Sequence, residues 1–214
     1  MKNVILLGDS IRMGYDKYVK EALADVANVY YPPENCKFAE YTLRYLHEWK
    51  IKGEWPTETD LVHWNVGLWD TLQLFDDEPL STIEHYENMI RRIDKRLRRL
   101  FPNAKFIFAT STAVIENKFA KFAKRYNNVI REYNEAAKRA LADTDTMIND
   151  LYSYTENCPE SYHSDGVHYS NPEGTAYIGG RVIALICREL DISANDIDID
   201  SFIPEEYTAQ NIGF

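Results

Sequence analysis

The sequence predicts an α/β protein: a three-layer α/β/α sandwich around a five-stranded parallel sheet. Three observations carry this expectation. Val4-Ile5-Leu6-Leu7 is a continuous apolar run of strand length, as in a strand buried on both faces of a parallel sheet. Strand-like runs alternate with helix-period segments along the whole chain, the pattern of strands joined by helical crossovers. No internal repeat or linker interrupts that alternation. With 214 residues, 45% of them hydrophobic, the chain can bury a core of the size such a domain needs.

The elements follow in order. After the strand at Val4–Leu7, Tyr15 to Ala24 reads as the first helix and Val26 to Tyr31 as a second strand, stopped by Pro32-Pro33. Tyr41, Tyr45, Leu46 and Trp49 recur at helical spacing within Phe38 to Trp49. Asp60 to Val66 is a third strand ended by Gly67, followed by a polar loop through Asp76-Asp77-Glu78-Pro79. Ser81-Thr82-Ile83-Glu84 reads as a capping box opening a helix, whose buried face is Ile83, Tyr86, Ile90, Ile93, Leu97 and Leu100. Its arginines and lysine, from Arg91 to Arg99, read as a solvated face that complements the helix C-terminus. Ala104 to Ala109 is a fourth strand. Phe119, Phe122, Tyr126, Val129 and Tyr133 then mark a long helix running to about Leu141, and Thr146 to Asn149 is a fifth strand. Asn171-Pro172-Glu173 caps and opens a last helix with a buried face of Ile178, Val182, Leu185 and Ile186. Residues 1–190 thus read as one domain. Residues 191–214 form an acidic extension whose Ile197, Ile199, Phe202, Ile203, Tyr207 and Phe214 predict packing on the domain or on a second subunit.

Charge and composition narrow the function. A net charge of −10 argues against nucleic acid or an anionic membrane as the main partner. No apolar run reaches the length of a membrane span, and the one after Lys2 is too short for a signal peptide, so the chain reads as cytoplasmic. Cys36, Cys158 and Cys187 are odd in number and widely spaced, which fits free thiols better than disulfides or a zinc site.

Chemistry concentrates at two places. Gly8 ends the first strand, and Asp9 and Ser10 follow where the chain turns, at the rim where open α/β sheets bind ligands. A serine there is a candidate nucleophile if a base can reach it; otherwise it is a turn serine that caps the next helix. Far along the chain, Asp165-Gly166-Val167-His168 offers a base and, three residues before it, a carboxylate to orient the ring. A metal reading of His163, Asp165 and His168 matches no standard helical zinc spacing. Trp49, Trp55, Trp64 and Trp69 precede or flank the third strand, where they either fill the core or offer faces for stacking.

Gly8-Asp9-Ser10-Ile11 together with Asp165-Gly166-Val167-His168, shortly before a last helix, resembles the SGNH (GDSL-type) hydrolase family over about residues 3 to 190. The resemblance implies a sheet of order 2-1-3-4-5 and a serine hydrolase with Ser10 as nucleophile, His168 as base and then acid, and Asp165 orienting it. It implies no metal and no cofactor. The expected substrate is a small-molecule ester, most simply an acetyl ester on a carbohydrate. Alternatives are longer acyl chains, as in a lysophospholipase or thioesterase, and a non-catalytic binding protein of the same fold. The sequence shows no long apolar lid segment, which favours short chains.

The chain departs from the family pattern at the oxyanion site. The backbone N–H of Ser10, at the start of a helix, is one expected donor. The glycine of the family's second block is missing from Pro33 to Phe38, which leaves Asn35 or Cys36 at that place. The usual Gly-x-Asn-Asp appears as Gly67-Leu68-Trp69-Asp70, with Trp69 where asparagine is expected. Asn65 is the nearest compact amide; it either supplies the missing donor or ties two loops together.

Overall fold

The structure, a computed structural model, describes residues 1–199 and Phe202. In chain order the elements are β1 (Lys2–Leu7), α1 (Ser10–Ala22), β2 (Ala27–Tyr30), α2 (Ala39–Lys52), β3 (Leu61–Asn65), β4 (Gln73–Leu74), α3 (Ile83–Leu100), β5 (Lys105–Ala109), β6 (Ala123–Lys124), α4 (Asn127–Leu141), β7 (Met147–Asn149), α5 (Leu151–Thr155) and α6 (Pro172–Leu190). Five strands form one parallel sheet in the order β2-β1-β3-β5-β7, which is 2-1-3-4-5 when its strands alone are counted. Helices cover both faces, so the expected three-layer sandwich is the fold.

The period of two in the central strands explains the layers. On β1, Ile5 and Leu7 point into a core shared with α2, α3 and α4, whereas Val4 and Leu6 point into a second core shared with α1 and α6. On β5, Phe106 and Phe108 join the first core, and Ile107 and Ala109 join the second. Both faces are apolar, so these strands read as unbroken hydrophobic runs rather than alternating ones. Trp64 and Phe108 pack edge to face at 4.7 Å between centroids, inside the first core.

Several boundaries correct the sequence reading. The first helix starts at Ser10, five residues earlier than expected, because Asp9 caps it: its Oδ1 accepts the Ile11 N–H at 3.0 Å. The cap of α3 is Thr82, not Ser81; the Thr82 hydroxyl accepts the His85 N–H, and Ser81 donates instead to Asp70 at 2.7 Å. The long helix expected from Phe119 starts only at Asn127. Before it, Glu116–Lys118 is a single 3-10 turn, and β6 pairs antiparallel with β4. These two short segments make a flap beside the main sheet, with the Phe75 and Phe122 rings 6.0 Å apart at its exposed tip. Phe119 and Phe122 therefore serve the flap, although they stand at helical spacing from Tyr126 and Val129.

On the basic face of α3, Arg91 pairs with Glu87 and Arg98 with Asp94 and Asp145. The beginning of the extension beyond α6 lies along α1: the Asn195 N–H donates to the Ala22 carbonyl at 2.8 Å, and Phe202 packs on Tyr18 at 5.3 Å. Ile203, Tyr207 and Phe214 lie outside the described residues. Among the described residues, no helix is long and apolar enough to cross a membrane.

Candidate active site

β1 delivers Ser10 to the carboxyl end of the sheet, at the first turn of α1. Gly8 must lack a side chain there. A Cβ on it would lie 1.9 Å from Asn65 Oδ1, because the Asn65 amide at the end of β3 covers the Gly8 backbone. The turn before α6 brings in the base. His168 Nε2 lies 2.8 Å from Ser10 Oγ, and His168 Nδ1 lies 2.7 Å from Asp165 Oδ2. The network assigns the tautomer: Nδ1–H donates to Asp165, which leaves Nε2 to accept the Ser10 hydroxyl proton.

The Asp165 carboxylate is fixed by the loop that carries it. Its Oδ1 accepts the N–H groups of Val167 at 2.6 Å and His168 at 2.8 Å. Burial alone would raise this carboxyl; the hydrogen bonds and charge of His168 and the Val167 N–H outweigh it and hold the group well below the usual carboxylate range. Gly166 lets the turn pass close to the flap, where its carbonyl accepts the Ile115 N–H at 2.8 Å. The three residues that the two sequence motifs single out thus form one hydrogen-bonded chain.

The residues named for the oxyanion site are placed differently. Asn65 is buried, and its Nδ2 donates to Asp9 Oδ1 at 2.9 Å. The Asp9 carboxyl is raised by burial, against the opposing hydrogen bonds from Asn65 and Ile11. The Cys36 N–H donates to the Gly8 carbonyl at 3.1 Å, and burial pushes its thiol up to about 11. Asn35 is also buried, and its Oδ1 accepts the Lys37 N–H at 2.8 Å. Gly67 has a φ of 144°, a backbone state that favours glycine, and a Cβ on it would meet Ser111 Oγ at 2.5 Å. Of this group, Trp69 lines the cavity at Ser10, whereas Asn65, Gly67 and Cys36 are not among its walls. Trp49, Trp55 and Trp64 are buried core residues. His163 packs on the Tyr169 ring at 4.0 Å, and its Nε2 lies 3.8 Å from Cys158 Sγ.

The cavity that opens on Ser10 and His168 measures about 510 Å³. Its walls are mostly apolar, with Leu68, Leu72, Leu74, Phe119, Phe122 and Val167 among them. The flap thus walls the site and supplies the apolar segment that the sequence had not revealed.

Two arginines matter here that the motifs do not mark. Arg12 is buried, pairs with Asp16 at 2.5 Å, and donates to the carbonyls of Pro32 at 3.0 Å and Glu34 at 2.6 Å. It fixes the loop after β2 to the helix that carries Ser10. Its spacing from Asp16 is that of a helical ion pair, a signal hidden once the helix is started at Tyr15. Arg125 lines the cavity and donates from Nε to the Leu68 carbonyl at 2.5 Å. On a continuous helix from Phe119 it would be one more solvated charge, so no sequence signal marks it.

No protein-family model matches the chain, and no curated protein matches it in sequence. Solved structures do match its fold. A lipase/acylhydrolase from Enterococcus faecalis superposes with a TM-score of 0.67 at 18% identity, covering 92% of this chain and 100% of that one. An acetyl xylan esterase superposes with a TM-score of 0.65 at 17% identity, covering 86% and 99%. A catalytic mutant of an acetylxylan esterase from Geobacillus stearothermophilus gives 0.62 at 15%, covering 90% and 95%. At these identities the likeness is one of fold.

Proposed function

We propose that the protein is a serine hydrolase of acyl esters that works through an acyl-enzyme on Ser10. The observation that carries this reading is the unbroken chain from Ser10 Oγ through His168 to Asp165, with links of 2.8 and 2.7 Å, at the wall of a cavity. His168 takes the hydroxyl proton as Ser10 Oγ bonds to the ester carbonyl carbon. The imidazolium, stabilised by Asp165, returns that proton to the leaving alcohol as the ester C–O bond breaks. Water, deprotonated by the same imidazole, then attacks the acyl-serine and frees the acid and Ser10. The Ser10 N–H at the start of α1 is the first oxyanion donor in this scheme. Likeness to solved esterases and an acylhydrolase supports the reaction class.

An acetyl ester on a carbohydrate remains one substrate reading, supported by likeness to acetylxylan esterases. The cavity favours a second: an acyl chain longer than acetyl, because its leucine and phenylalanine walls extend well beyond what a methyl group fills. A fluorophosphonate probe tests the mechanism by labelling Ser10 and no other serine. Labelling lost in both Ser10→Ala and His168→Ala supports it. Wild-type turnover of p-nitrophenyl acetate by Ser10→Ala refutes it, and absence of labelling and turnover leaves the binding-protein alternative. A p-nitrophenyl ester series from acetate to decanoate then separates the two substrate readings.

A further inference from the structure

Several arginines of this protein have a carboxylate partner. Arg12 pairs with Asp16, Arg98 with Asp94 and Asp145, and Arg139 with Glu87. Arg125 lies between β6 and α4, part-buried in the wall of the Ser10 cavity. Its one hydrogen bond among the described residues runs from Nε to the Leu68 carbonyl, and no described carboxylate lies within ion-pair distance of it. Lys118, the other cation of the cavity, is already paired with Glu160 at 2.7 Å. The acidic groups that act on Arg125 at longer range, Asp9 and Asp165, are engaged elsewhere, by Asn65 and by His168.

A guanidinium held among leucines and phenylalanines without a counter-ion is costly unless something else meets its charge. Burial pulls it down to about 10, against the pull of Asp9 and Asp165, so it is cationic at neutral pH. Its Nε is used to fix its place, and the Nη donors remain. They form part of a planar fork that suits carboxylate and phosphate oxygens. In a protein of net charge −10, general attraction for anions is absent, so such recognition has to be local.

We propose that Arg125 is the substrate-recognition residue of the site, and that the preferred substrates are esters carrying an anionic group, carboxylate or phosphate, alongside an apolar segment. This rests on the serine-hydrolase reading and names its substrate class. The anion sits on Arg125 while the apolar segment lies against Leu72 and Phe119, which presents the ester carbonyl to Ser10.

Two matched pairs of esters test the proposal and locate the anion. For a carboxylate on the acyl part, the pair is 4-nitrophenyl hemisuccinate and 4-nitrophenyl 4-methylpentanoate. For a phosphate on the alcohol part, it is 1-butyrylglycerol 3-phosphate and 1-butyrylglycerol. The expected result is an anionic-over-neutral preference in kcat/KM of about tenfold to a hundredfold in at least one pair, expressed mainly in KM; this is the span of one charge-assisted hydrogen-bonded contact. Arg125→Gln collapses that ratio towards one, and Arg125→Lys retains part of it. A wild-type ratio near one in both pairs overturns the proposal. So does an Arg125→Gln variant that loses both members of a pair equally, which makes Arg125 only a prop for Leu68. Should Arg125→Gln fail to fold, the ratio in Arg125→Lys decides: an unchanged preference overturns the proposal. A parallel calorimetric titration of succinate and of glycerol 3-phosphate into the unreacted protein reads binding without turnover. Binding lost in Arg125→Gln alongside absent hydrolysis upholds the anion site while rejecting the hydrolase reading. Absence of binding by either anion, with hydrolysis of the neutral esters intact, rejects the anion site and keeps the hydrolase.

Discussion

Replacing Asn65 by alanine separates two jobs that the amide could hold. In the structure its Nδ2 donates to Asp9 Oδ1 at 2.9 Å, and both side chains are buried. Asp9 in turn caps the helix that carries Ser10. The truncation leaves Asp9 with the Ile11 N–H as its remaining described donor and opens space over Gly8. Losing one partner of a buried polar pair costs about 1–3 kcal/mol. In a chain of this size each kcal/mol lowers Tm by about 2–4 °C, so the expected drop is about 2–12 °C. Rates should be measured well below that Tm on p-nitrophenyl acetate and divided by the fraction of sites titrated with a fluorophosphonate. Per active site, kcat is expected to fall by less than about tenfold, because Asn65 Nδ2 donates to Asp9 and Asn65 is not among the walls of the Ser10 cavity; removal of a true donor costs about 10²–10³. A variant with Tm within about 1 °C of wild type and kcat lowered a hundredfold would refute this, and return the oxyanion to Asn65.

Asp165→Asn should lower kcat by about 10² or more, since an amide can no longer select the Nδ1–H tautomer of His168; a loss under about threefold would show that the base works without its carboxylate. Because Asp165 is held well below the usual carboxylate range, it stays ionised from about pH 4 to 8, and the kcat/KM profile over that span should contain no acid step that disappears in Asp165→Asn. His63, buried at the centre of the sheet, is lowered by burial to about 3. The unfolded chain therefore takes up a proton that the folded one refuses, and the stability His63 contributes is complete above about pH 6.5 and lost as pH falls towards 3. Denaturant titrations should show His63→Gln losing about 2 kcal/mol less than wild type between pH 7 and 5; parallel curves would contradict this. Phe122→Ser should cut kcat/KM for an octanoate ester about tenfold and much less for the acetate, and equal losses would remove the flap from acyl binding.

Much of the architecture is legible in the sequence because burial and periodicity agree there. Val4–Leu7 and Phe106–Phe108 are buried on both faces and read as unbroken runs, and the Tyr86, Ile90, Ile93 and Leu97 stripe of α3 faces one core. Ser10, Asp165 and His168 were legible because each sits in a compact local motif, although only folding could show them in contact. The flap was not legible, since Phe119, Phe122 and Tyr126 keep helical spacing while the first two line a cavity, Phe119 also packing against the second core. Periodicity records which residues are apolar and not what they line. The roles of Asn65 and Arg125 depend on Asp9 and Leu68, 56 and 57 residues away, and no local pattern carries such pairings.

The Ser10–His168 link spans 158 residues, and it joins the first helix of the fold to the turn that opens the last. A growing chain contains Ser10 long before it contains His168, and over that interval the hydroxyl is an ordinary, unreactive alcohol. It gains nucleophilic character only when α6 docks along α1 and sets the imidazole against it. Reactivity therefore waits on that docking. A chain halted at residue 160 should ignore a fluorophosphonate however completely its sheet has formed, and the labelled fraction of a refolding sample counts the molecules whose two ends have met.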